Sequence, residues 1–181
     1  HIRYEKIEGA QQAEEDAQTD GAGISLSEMA AAQDVQQQEQ QNADTWPKTF
    51  TVTLGGDTTL GSTDDLRKRD DCFENVAADK GYGWFFSGLQ TLFATDDLTH
   101  INFEGTLTDE TSKKQKLYNF KGPAEYADIL TLGSVEAVNI ANNHTLDYGQ
   151  QGKEDTIANL EAAGIIVSGG GQLGIFEKNG V

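Results

Sequence analysis

The sequence predicts an α/β fold with a parallel or mostly parallel sheet, and three observations predict it. Short β-branched, apolar runs recur from Thr49 onward. Between them lie longer segments whose apolar residues fall at helical spacing. The two kinds of segment alternate, with short gaps that fit right-handed crossovers, which is the pattern of a βαβ chain rather than of a sandwich or bundle.

The first run, "FTVTLGG" (50–56), is strand-like and closes on Gly-Gly-Asp, expected to be a tight turn. "YGWFFSGLQTLFATDD" places Trp84, Phe85, Leu89, Leu92 and Phe93 at roughly helical spacing. "LTHINFEG" (98–105) reads as a second strand with Ile101 and Phe103 on one face. In "GPAEYADILTLGS", Pro123 stands near a helix start, Tyr126, Ile129 and Leu130 share a side, and Gly133 stops the helix. "EAVNIA" is a third strand. "QQGKEDTIANLEAAG" is a helix with Ile157, Leu160 and Ala163 on one side and Gly164 after its end. "IIVSGGG" is a fourth strand. The rhythm stops in mid-pattern at Val181, so residues 48–181 are expected to be the N-terminal part of a larger domain.

Residues 1–47 have a different texture. They are rich in Gln, Ala, Glu and Asp and carry no sustained apolar period, so they are expected to be an acidic disordered linker. A marginal helix across Ser25–Gln41 is the alternative, weak for want of an apolar stripe. The formal net charge of −17 argues against nucleic acid as a partner, because no basic surface is on offer. Anionic substrates stay open if a metal supplies local positive charge. Cys72 is the single cysteine, which excludes an internal disulfide and a four-cysteine metal site. The chain contains no apolar run long enough to span a membrane and no signal peptide. It opens on His1 rather than Met, which suggests a processed product.

Polar residues gather where the strands end. Asp57 follows the first; Asn102 and Glu104 close the second; Asn142, Asn143 and His144 follow the third. If the strands are parallel, these residues share the rim formed by the carboxyl ends, where α/β sheets place their sites. Two carboxylates and an amide oxygen make a hard ligand set suited to Mn, Mg, Fe or Ca, and an imidazole adds a ligand or a proton donor. Such a set is too small to close two metal shells. Each residue also has a plain reading: Asp57 as a turn or cap, Glu104 as a solvated strand end, the asparagines as turn formers, His144 as a structural histidine. Asp147 either caps the following helix or braces the Asn-Asn-His loop, and the bracing role is favoured. The glycine-rich stretches "LGGDTTLG" and "SGGGQLG" match neither a dinucleotide fingerprint nor a P-loop, which disfavours nucleotide binding.

At these same residues the chain resembles a known family. "TLGGDTTLG", "THINFEGTLT" and "NFKGPAEYADILTLGSVEAVNIANNHTLDYGQQGKEDTIANLEAAGIIVSGGG" are similar to the CapA-type bacterial capsule synthesis proteins, associated with poly-gamma-glutamate synthesis and export. The resemblance spans about residues 49–175. It implies a calcineurin-like metallophosphoesterase fold, an α/β/β/α sandwich of which this chain supplies the N-terminal βαβαβαβ portion. It further implies divalent metal ions (Mn, Mg or Fe, two in the complete domain), with Asp57, Glu104 and Asn143 as ligands. His144 would be proton donor, with Asn102, Asn142 and Asp147 in support. Further histidine ligands would lie beyond Val181. The implied partners are an anionic polymer or phosphoester and other capsule-synthesis membrane proteins. The implied location is the extracellular face of a bacterial membrane, reached through an upstream anchor. Two functions follow: a metal-dependent hydrolase of phosphoesterase type, or a non-catalytic scaffold that handles polymer in a membrane complex.

Overall fold

The computed structural model describes residues 49–178, together with residues 32, 33 and 35, which are helical and exposed. The linker expected over residues 1–47 lies outside the described residues apart from those three positions. In chain order the elements are β1 (Val52–Thr58), α1 (Phe73–Lys80), α2 (Gln90–Phe93), β2 (Leu98–Phe103), β3 (Thr106–Leu107), β4 (Lys121–Gly122), α3 (Ala127–Leu132), β5 (Ala137–Asn139), α4 (Gly149–Ala162) and β6 (Ile166–Ser168). Single 3-10 turns add Leu66–Lys68, Tyr82–Trp84 and Ala124–Tyr126.

Four strands pair in the order β1-β2-β5-β6, and every neighbour is parallel. The expected α/β class is therefore present, and it is consistent with part of a metallophosphoesterase-like fold. Side chains alternate across the sheet. Thr99, Ile101 and Phe103 of β2, Val138 of β5 and Val167 of β6 are buried on the helix-covered face. Ile129 and Leu130 of α3 and Leu160 of α4 complete that core, each fully buried. Burying one such aliphatic side chain stabilises the fold by about 1.5–3 kcal/mol.

Three elements depart from the sequence reading. β1 does not turn at Gly-Gly-Asp; it runs through Asp57 to Thr58. Its register shifts between Leu54 and Asp57, so the two glycines form a bulge, after which Asp57 pairs with Asn102. Gly55 is needed there, since a Cβ would stand 2.7 Å from Ile101 Cγ2. The helix expected across "YGWFFSGLQTLF" is broken into a 3-10 turn and the single turn of α2, with Trp84, Leu89 and Leu92 exposed. Gly83 and Gly88 interrupt it, and bonds such as Ser87 N–H to Trp84 O (3.1 Å) close tighter turns. Phe85 stacks instead on Phe73 of α1 at 4.4 Å, and α1 itself had no clear apolar period to announce it.

β3 and β4 form a small separate parallel pair. Residues that the sequence left as loop are held there by α4. Thr156 Oγ1 accepts from Leu107 N–H (2.9 Å) and donates to Gly152 O (2.6 Å). Asn159 Nδ2 donates to Leu107 O at 2.9 Å. This pair presents the 108–120 loop to the sheet rim. α4 ends where expected, at Gly164 with φ +82.

Candidate functional site

One polar row crosses the sheet near the carboxyl ends of its strands. Asp57 lies beside Asn102, Asn102 beside Asn139, and Asn139 beside Ser168. The side chains follow the backbone register. Asn102 Nδ2 donates to Asp57 Oδ1 at 2.6 Å, and Asn139 Nδ2 donates to Asn102 Oδ1 at 2.8 Å. Asn142 Nδ2 adds a second bond to Asn102 Oδ1 (3.1 Å) and one to Phe103 O (2.8 Å). Asn102 and Asn142 therefore tie the ends of β1, β2 and β5 together.

The loop after β5 is shaped from within. Asn142 Oδ1 accepts from His144 N–H at 3.0 Å, and Thr145 Oγ1 bonds back to Ile140 O. These bonds turn the chain so that His144 is buried while Asn143 stays exposed. The His144 ring tilts on Phe120 with centroids 4.7 Å apart. Its two nitrogens face different partners. Nδ1 lies 2.8 Å from Asp147 Oδ2 and 3.1 Å from Lys116 Nζ, while Nε2 lies 3.5 Å from Glu104 Oε1. A protonated Nδ1 donates to Asp147; an unprotonated one accepts from Lys116 and leaves the proton on Nε2, facing the rim.

Asp147 does not cap α4, whose first turn has no side-chain cap. It is fully buried, and Oδ2 accepts from Phe120 N–H at 2.7 Å as well as meeting the imidazole. Oδ1 faces the Lys116 ammonium at 2.5 Å, without a well-aligned hydrogen bond. Lys116 Nζ also donates to Asn143 O at 3.0 Å. The 108–120 loop thus braces the Asn-Asn-His turn through Lys116 and Phe120. Neither residue was among the candidate site residues read from the sequence, and nor was Asn139. Asn139 could have been found from the alternation that aligns it with Asn102; Lys116 carries no such signal.

The carboxylates differ in how well they are satisfied. Glu104 is held on the rim by its own N–H, which donates to Thr58 O at 2.9 Å. Its side chain is only 17% exposed, yet the His144 approach is its sole polar partner among the described residues. Asp57 is exposed, with Oδ1 engaged by Asn102. Strand ends from β1 and β2 and the loop after β5 thus bring Asp57, Glu104, Asn143 and His144 to one rim, as parallel topology requires. The donor set fits a hard divalent cation: two carboxylates with free oxygens and one exposed amide. It is a partial set. Among the described residues, no group of three His, Cys, Asp or Glu side chains stands close enough to hold a metal ion. His100 does not extend it; the ring is half-buried, 3.3 Å from Ser168 Oγ, and burial holds its pKa below the usual histidine value.

Beside the rim runs a groove of about 440 Å³, lined by Lys114, Asn142, Asn143, Leu146, Lys153 and Gly170 among others. Among the described residues no carboxylate lines it.

Comparison with known proteins places this geometry. Over 100 residues the chain is 30% identical to the PGA biosynthesis protein CapA of Bacillus subtilis (strain 168). That match covers 54% of this chain and 26% of the relative, so it spans about a quarter of that protein's length. Residues 51–174 match the model of the bacterial capsule synthesis protein family PGA_cap. Those residues contain every strand of the parallel sheet and the whole polar rim, and the chain belongs to this capsule synthesis family.

Proposed function

We propose that this chain carries part of a divalent-metal site of phosphoesterase type and acts in the synthesis or export of poly-gamma-glutamate capsule. The observation that carries the reading is Glu104: a carboxylate 17% exposed, placed at a strand end, whose only polar neighbour among the described residues is an imidazole 3.5 Å away. A partly buried carboxylate with so little compensation from the protein is poised to accept a cation. Asp57, Glu104 and the Asn143 side-chain oxygen would hold the ion, Mn, Mg or Fe by donor hardness. When bound, it would supply positive charge that polarises a phosphoryl oxygen.

The chain's own residues do the rest. Asn102 and Asn142 hold the strand ends in register. Asp147 and Lys116 fix the His144 ring, so that Nε2 faces the rim. From there Nε2–H can donate to a leaving oxygen as charge develops on it. Two ions in the complete domain, and further ligands outside these residues, belong to the same reading. So does a position on the extracellular face of the membrane, reached through an upstream anchor. Among the described residues no helix is long and apolar enough to cross a membrane.

The test is manganese-dependent hydrolysis of p-nitrophenyl phosphate by the full-length protein. Asp57→Ala and Glu104→Ala should each abolish it, and unchanged turnover in either variant would refute the reading. A non-catalytic scaffold handling polymer for a membrane complex is the second reading, favoured by the absence of three clustered metal-holding side chains among the described residues. It expects Asp57→Ala and His144→Ala to support normal capsule export in a complementation assay; loss of export by folded variants would exclude it.

A further inference from the structure

One stretch of surface carries no charge in a strongly charged chain. Asp, Glu, Lys and Arg make up 24% of the sequence and the formal net charge is −17, yet "GYGWFFSGLQTLFAT" (81–95) contains none of the four. "ILTLGSV" (129–135), which ends α3 and leads to β5, is uncharged as well. The two stretches meet, since Gln90 Nε2 donates to Leu132 O at 3.3 Å. Around that contact Trp84, Leu89, Leu92 and Leu132 are each 47–55% exposed. The fold fixes them there. Trp84 lies edge-on to Phe85 at 5.5 Å, Phe85 stacks on Phe73, and Ser87 Oγ donates to Trp84 O at 2.7 Å. Buried Phe93, tilted on Phe86 at 5.8 Å, anchors α2 beneath the two leucines. The bordering charges turn to partners of their own: Lys80 to Asp79, Asp96 to Thr99 Oγ1, Asp97 to Lys178. α2 ends at Phe93 just before β2 begins at Leu98, and α3 ends at Leu132 just before β5 begins at Ala137. This surface therefore lies toward the amino ends of the strands, away from the polar rim.

We propose that this surface rests on a lipid bilayer, with Trp84, Leu89, Leu92 and Leu132 inserted at the depth of the headgroups and first acyl carbons. Apolar side chains already fixed outward gain burial there with little further ordering cost. Indole suits that depth, because its rings are apolar and its N–H finds polar headgroup atoms. A protein partner is recognised through complementary charge and a polar rim, and a charge-free surface offers neither. A zwitterionic bilayer asks for apolar contact alone, and the charge of −17 disfavours an anionic one. Seated this way, the chain turns its polar rim toward the aqueous phase. The inference rests on the membrane location proposed above, to which it adds a direct lipid contact, and is independent of the metal chemistry.

The experiment uses the full chain in a Trp46→Phe background, where Trp84 is the single tryptophan. It is titrated with phosphatidylcholine vesicles, and Trp84 emission is followed with lipids brominated on the acyl chains. Saturable binding, a blue shift and quenching by bromine are expected. Leu89→Ser/Leu92→Ser should weaken partitioning about tenfold, as lost apolar burial allows. Leu117→Ser, at a leucine 82% exposed elsewhere, should bind unchanged. Mixing in phosphatidylglycerol should weaken binding. No vesicle binding, binding that leaves Trp84 emission unshifted, or an equal loss in Leu117→Ser would each overturn the proposal. So would tighter binding to anionic vesicles, which would mean attachment through lysines. Self-association that shields Trp84 without vesicles, seen by sedimentation velocity, would assign the surface to a second copy instead. Cell fractionation of the full-length protein tests the upstream anchor separately, so failure of the lipid contact and failure of the membrane location are distinguishable.

Discussion

Asp147→Asn tests the brace behind the Asn-Asn-His loop. The carboxylate is fully buried and meets three partners: Phe120 N–H at 2.7 Å, His144 Nδ1 at 2.8 Å and Lys116 Nζ at 2.5 Å. Asn has nearly the same shape and keeps one oxygen for the Phe120 amide. It cannot accept from His144 and salt-bridge Lys116 at once, and its NH2 confronts one of them. Breaking a buried ion pair from one side costs about 3–5 kcal/mol. Lys116 is 29% exposed and regains some water, which lowers the expected loss to about 2–4 kcal/mol. Urea denaturation of the full chain measures it. Lys116→Met should also destabilise, because it leaves the buried carboxylate without its ammonium partner. The double variant should lose about 1–3 kcal/mol less than the sum of the two. An Asp147→Asn protein within about 0.5 kcal/mol of wild type would refute the brace.

Thr156→Val removes the hydroxyl joining α4 to β3, leaving Leu107 N–H buried without a partner. A loss of about 1–3 kcal/mol in the same denaturation assay is expected, and a neutral outcome would show that α4 does not hold the small sheet. Glu74 gives a pH signature. Burial pushes its carboxyl up, but hydrogen bonds from Arg67 and Ser62 more than offset this and hold it below the ordinary value of 4.5. The folded pKa is depressed, so its stabilisation is present above the ordinary value and lost as pH falls through the folded one. Glu74→Gln should therefore be less stable than wild type at neutral pH, with the gap closing in acid; a gap independent of pH would contradict the pairing. Gly164→Ala places a side chain at φ +82 in open space, so strain alone should cost about 1 kcal/mol, read from the shift in thermal midpoint.

Much of the fold was legible because its strands carry their own signals. The shared face of Ile101 and Phe103, and the helical spacing of Tyr126, Ile129 and Leu130, survive into the core unchanged. What stayed hidden depends on tertiary partners. β1 runs past its glycines because Asp57 finds Asn102 on the neighbouring strand, a pairing that local turn chemistry does not contain. The aromatic segment after α1 failed as a helix because its rings pack on Phe73 and Tyr126 and its glycines weaken the continuous turn. The site was legible in part for a similar reason. Strand-end polar residues follow from topology, so Asp57, Asn102, Glu104 and His144 could be placed together. Lys116 could not, since it comes from a loop positioned by the β3–β4 pair, and two-residue strands leave no period to read.

The proposed metal site places a divalent cation on the strand-end oxygens of Asp57, Glu104 and Asn143, beside His144. Manganese titration of the isotope-labelled full chain, followed by paramagnetic broadening of its NMR signals, tests this most directly. Signals of Asp57, Glu104, Asn143 and His144 should broaden first, and Glu104→Gln should abolish that selectivity. Broadening that begins instead at the exposed carboxylates of Asp64–Asp71, and is unchanged in Glu104→Gln, would contradict it.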